Sequence, residues 1–128
     1  MTTNNSNQSM PTPQPQGSTG LSPDEMRTIA KIRKCAKAAE DYRDAALSSE
    51  AKANRRTQRL IEQAEREVDL GKPLARGSTP EDVAKLRAGT DPRWKTHAAD
   101  NRWHLEQSRT ESALALVLIE AFREGIYL

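Results

Sequence analysis

From residue 29 onward the chain repeats apolar or small residues every three or four positions, a rhythm absent from its first twenty residues. The first stripe reads Ile29, Ile32, Ala36, Ala39, Tyr42, Ala46, Ser49, Ala53, Thr57, Leu60, Ala64 and Val68, the spacing of one helical face. Its start is marked by Ser22-Pro23-Asp24-Glu25: an N-cap serine, a proline at the first helical position and a glutamate three residues after the cap, which together make a capping box. Leu21 and Met26 stand where a hydrophobic staple would join them. Gly71 and Pro73 form the stop signal, so the pattern predicts one helix over about residues 23–70, roughly 70 Å long at ~1.5 Å per residue. The segment 48–59 is polar enough that a local bend or fraying stands as the alternative to an unbroken helix.

Two further starts follow. Gly77-Ser78-Thr79-Pro80-Glu81-Asp82 opens a short helix over about 80–88, closed by Gly89, and Thr90-Asp91-Pro92-Arg93 opens the last, over about 92–124, ended by Gly125. The last helix follows a heptad: Trp94, Asn101, Ser108, Ala115 and Phe122 on one seam position, Ala98, Leu105, Ser112, Ile119 and Ile126 on the other. That repeat predicts coiled-coil-like packing on the long helix. Asn101 either fixes register in the seam or faces water. Short connections predict that the last helix returns antiparallel, giving an all-α helical hairpin with a short connecting helix. Trp94, Ala98 and Leu105 are expected to meet Leu60, Ala64 and Val68. Ile119, Phe122 and Ile126 would then approach Ala46 and Tyr42, leaving Ile29 and Ile32 overhanging.

A second face of the last helix is also apolar. Leu114, Val117, Leu118 and Ala121 lie off the heptad seam, and Trp103 continues their line. A helix apolar on several sides is covered on several sides, and one partner helix covers only one. With Phe122 and Ile126, these residues form the expected interface with another protein subunit, a second copy or a different chain.

Residues 1–21 read as a separate arm ahead of a helical domain at 22–128. Met1 to Gly20 carry no charged, aromatic or β-branched aliphatic residue, and Pro11, Pro13 and Pro15 alternate. Such a segment buries too little apolar surface to offset the entropy of ordering, so the arm is expected to be disordered, as a solvated tail or as a docking arm on a neighbouring subunit. The rest is poor in bulk: 35% of the 128 residues are apolar and only 4% aromatic, which predicts a thin core and a benefit from association. A net charge of +2 from 20 bases and 18 acids is too even to draw the chain to nucleic acid by its overall field. Cys35 is the sole cysteine, which excludes an internal disulfide and a cysteine-built metal site. The start lacks the order of a secretion signal, and the longest apolar run, Ala113 to Ile119, falls far short of the ~20 residues that cross a bilayer. A virion or cytoplasmic location, outside the membrane, is the expectation.

The sequence offers little chemistry. It contains no Gly-rich phosphate loop, no Gly-x-Ser-x-Gly and no His-Glu-x-x-His. His97 and His104 flank Asp100, but two helical turns, ~10 Å, separate them, too far to share a metal. Lysines and arginines surround Cys35 and would favour a thiolate, yet no histidine stands near it in sequence, and it reads as a small residue on a helix flank. Two basic clusters, represented by Arg27, Lys31 and Lys34 and by Arg55, Arg56 and Arg59, are candidate phosphate contacts; interleaved acids make a solvated face the competing reading. No catalytic residue, cofactor or metal is expected. The expectation is a structural or assembly subunit, such as a phage capsid or connector accessory, with a nucleic-acid-associated regulatory protein as the alternative.

Overall fold

A computed structural model describes residues 20–75 and 77–128; the arm expected over residues 1–19 lies outside them. The described residues form three helices, α1 (Pro23–Asp69), α2 (Pro80–Ala88) and α3 (Pro92–Arg123), and no strand. The fold is all-α, and the boundaries fall within one residue of the capping signals. α1 runs unbroken through residues 48–59, so the polar middle neither bends out of helix nor frays.

The caps form as their chemistry requires. Ser22 N–H donates to Glu25 Oε1 (2.9 Å) and Glu25 N–H to Ser22 Oγ (3.1 Å). Thr79 and Asp82 make the same reciprocal pair at the start of α2. Asp91 caps α3 by accepting the Trp94 N–H at 2.8 Å. α1 and α3 end alike. Gly71 (φ 83°) and Gly125 (φ 78°) take the left-handed conformation, while Lys72 N–H reaches Glu67 O and Ile126 N–H reaches Ala121 O. These are Schellman caps, which glycine accommodates without a Cβ penalty.

The chain divides into two compact units, one of Met1–Ala36 with Ser112–Leu128 and one of Lys37–Glu111. In the second unit α1 and α3 run antiparallel, with Arg56 on Asp91, Ala46 on Asn101 and Ala39 on Ser108. Their interface is floored by alanine: Ala39, Ala46 and Ala53 are buried, with Ser49 between them. Small residues let the helices approach until side chains of one reach the backbone of the other. Asn101 Nδ2 donates to Ala46 O and Ser108 Oγ to Ala39 O, both at 2.8 Å. Of the two readings of Asn101, the seam position is the observed one.

The register differs from the expected one, and α2 is the reason. α2 packs on the end of α1, where Ala84 and Ala88 bury Leu60 and Arg87 grips Glu67 through two hydrogen bonds of 2.9 and 2.8 Å. α3 therefore starts opposite Arg56 rather than opposite Val68, which is exposed. Trp94 touches the Leu60 cluster from its edge, and Tyr42 meets Trp103 and His104 in place of Phe122 or Ile126.

In the first unit the start of α1 and the end of α3 are antiparallel as well. Cys35, Ala115 and Leu118 form its core with Ile32 against them, and Lys31 Nζ donates to Leu128 O at 2.9 Å. The expected overhang is thereby corrected: the shifted register brings α3 to Ile32. Two stripe positions change with it. Cys35 is buried and Ala36 exposed, and Thr28 is buried where Ile29 is only partly covered. The Thr28 hydroxyl has no hydrogen-bond partner among the described residues, which costs on the order of 1–3 kcal/mol.

Candidate functional site

Two surfaces gather the residues singled out from the sequence. The first lies in the unit formed by the start of α1 and the end of α3. Leu114, Val117 and Ile126 are about half exposed, and Ala121 and Phe122 are partly covered, Phe122 by the Tyr127 ring at 5.7 Å. Leu118 is not part of this surface. It is 6% exposed and packs on Cys35 and Ala115, so its expected role in a protein interface is corrected to a core role. The cause is helical drift: 3.6 residues per turn do not hold a strict 3.5-residue register, and here Leu118 rather than Ile119 turns inward. The sequence reading missed Leu116, Tyr127, Leu128 and Met26, all exposed in the same unit. Leu116 was visible in the run 113–119, and the Ile-Tyr-Leu triplet after Gly125 was a second signal.

Trp103 belongs to the other unit. It is half exposed, with its ring edge-on to Tyr42 (5.8 Å) and to His104 (5.1 Å). His104 Nδ1 lies 2.7 Å from Asp100 O, which places this histidine in an aromatic cluster.

The second surface is basic and lies within the unit Lys37–Glu111. Lys52, Arg55, Arg56 and Arg59 of α1 and Arg93 and His97 of α3 line a recess of about 160 Å³. Arg55, Arg56 and Arg59 were foreseen; Lys52, one turn earlier on the same helix, was passed over, and Arg93 and His97 were not visible because only the observed register sets the first turn of α3 beside residue 56. The other foreseen cluster, in the other unit, is partly engaged: Arg27 pairs with Asp24 and Lys31 with the Leu128 carbonyl, while Lys34 is exposed.

Within the recess Arg56 is committed. Its Nε and Nη2 bind the two Asp91 oxygens at 2.9 and 2.7 Å. Those bonds, then the Trp94 N–H, hold the Asp91 carboxyl well below the usual carboxylate range against the opposing effect of burial. Glu67 is lowered by its bonds to Arg87. A carboxyl depressed in the folded state adds stability that is complete above its unfolded pKa and is lost as the pH falls toward its folded one. The contribution of Asp91 should therefore be intact above the ordinary carboxylate value of 3.8 and shrink below it. We expect Asp91→Asn to unfold at lower temperature than the parent near pH 7, with the difference narrowing between about pH 5 and about pH 2. Thermal melts followed by circular dichroism check this, and a gap constant over that range would remove the ion pair from the account.

No helix among the described residues is long and apolar enough to cross a membrane. Compared with protein-family models, curated proteins and solved structures, the chain matches none.

Proposed function

We propose that the chain is a non-enzymatic assembly subunit: a helical module that docks into a larger protein complex, such as a virus particle, through the apolar end of α3. The observation that carries this reading is the concentration of exposed large apolar side chains in one small unit, where Leu114, Leu116, Val117, Ile126 and Leu128 are each about half exposed or more. A concentration of exposed large apolar side chains of this kind marks an interaction site. Its form suggests the partner. Leu114, Val117 and Ala121 stand at i, i+3 and i+7 on α3, a ridge that fits an apolar groove between helices of another protein subunit. The same unit carries Asp24, Glu25, Glu120 and Glu124 against Arg27, Lys31, Arg33, Lys34 and Arg123, so its charges nearly balance, and the apolar ridge rather than charge indicates the partner.

Val117→Glu tests this reading because Val117 is 56% exposed and its replacement leaves the core intact. The variant should keep the parent's helical circular dichroism while losing the parent's self-association, measured by sedimentation, or its incorporation into the assembly it is expressed with. Unchanged association and incorporation in a folded Val117→Glu protein would overturn the proposal. Leu118→Glu is the wrong probe, since it unfolds the Cys35–Ala115 core.

A further inference from the structure

We infer that the recess between α1 and the first turns of α3 is a phosphate-binding site, and that the phosphates it takes belong to a nucleic-acid backbone. This goes beyond the docking role and rests on different residues. Lys52, Arg55, Arg59, Arg93 and His97 converge on one concavity with Arg56, and no carboxylate lines it. Arg56 is neutralised by Asp91. Lys52, Arg55, Arg59 and Arg93 make no ion pair or side-chain hydrogen bond with other described residues. Elsewhere on α1 Arg27 and Lys37 pair with Asp24 and Asp41, and the cations without an ion pair are not gathered with cations of a second helix in a recess. Here two helices bring together four cations that make no salt bridge, Arg93 among them standing in the field of Asp91.

Size and spacing decide the ligand class. A volume of about 160 Å³ is below the ~300–1,000 Å³ of small-molecule pockets and suits a compact oxyanion. Arginine supplies the planar fork that matches phosphate oxygens. Lys52 and Arg59 are two turns apart, about 10 Å along the axis, and a strand advances ~3.4 Å per phosphate. One row of cations therefore spans neighbouring phosphates of a chain, more than a single free phosphate occupies. His97 supplies the one aromatic ring of the recess, with no Phe, Tyr or Trp beside it, so cations dominate the lining and binding reads the backbone rather than the sequence.

The test is fluorescence anisotropy of a labelled oligonucleotide, single-stranded and duplex, with the full-length protein. Binding should weaken about 100-fold between about 50 and about 200 mM salt, as expected for three to four neutralised phosphates. Arg59→Gln and Arg93→Gln should each weaken it severalfold and flatten the salt dependence by about one unit. The Arg59→Glu/Arg93→Glu double variant should abolish it with helicity retained. Arg27→Glu/Lys34→Glu, in the other basic cluster, should leave it nearly unchanged. Inorganic tripolyphosphate serves as the second arm. Tripolyphosphate binding without oligonucleotide binding would overturn the backbone assignment, and absence of both would overturn the site. Equal losses from the two charge-reversed pairs would mean diffuse attraction and would overturn it as well.

Discussion

Leu60→Ala is expected to destabilise the protein by about 2–5 kcal/mol, the range for removing a buried leucine without collapse of its site. The position warrants the upper half of that range. In the unit Lys37–Glu111 the other buried apolar residues are alanines, and only the partly buried Ile61 and Trp94 flank the site, so little bulk is at hand to fill the space. Leu60 is also where three helices meet: it lies on α1, Ala84 and Ala88 of α2 cover it, and Trp94 of α3 packs at the edge of the cluster. Its loss should release α2, and the Glu67–Arg87 pair is too exposed to hold that helix alone. Urea titration followed by circular dichroism and by tryptophan fluorescence checks this. A cost below about 1 kcal/mol would show that the Leu60 cluster does not organise the unit.

The same cluster shows where the sequence was legible and where it was not. Every helix end was readable, because Ser22, Thr79, Asp91, Gly71, Gly89 and Gly125 act on the backbone next to them and need no tertiary partner. The antiparallel return was readable from connection length. The register was not, because it depends on how much of α1 the short helix occupies. Ala84 and Ala88 are too small to announce that they bury Leu60, and once they do, α3 starts about three turns earlier on α1 than the apolar stripe alone suggested. From that shift follow the misplaced overhang at Ile32 and the basic recess that no sequence window contained. Arg55, Arg56 and Arg59 were visible as a cluster on one helix; that Arg56 is spent on Asp91, while Arg93 and His97 join the rest, is a property of the pairing. The inward turn of Leu118 was illegible for a local reason. Four apolar residues in a row, Leu116 to Ile119, leave the hydrophobic pattern nothing with which to choose among them.

Ala46→Leu is expected to damage the protein about as much as Leu60→Ala, although it adds apolar surface. Ala46 is 1% exposed, and its carbonyl accepts the Asn101 amide at 2.8 Å, a distance that only a close helix approach permits. A leucine there has no empty volume to enter, and overpacking a filled site costs ~1–3 kcal/mol. Forcing the helices apart also removes the partner of a half-buried amide, which adds about 1–3 kcal/mol. The Ser108–Ala39 bond, one heptad away, strains in the same direction. A leucine at Ala51, an exposed position of the same helix, supplies equal helix propensity and equal bulk away from the interface and should change stability by less than about 0.5 kcal/mol. The contrast between the two variants isolates helix approach from hydrophobicity and propensity. Asn101→Ala then separates the two costs. It should make the parent less stable, yet make Ala46→Leu less harmful than it is beside Asn101, because the leucine can occupy the space the amide leaves. Additive effects of the two substitutions would mean that Asn101 and Ala46 do not share the interface, and the account of an alanine-floored, amide-latched seam would fail.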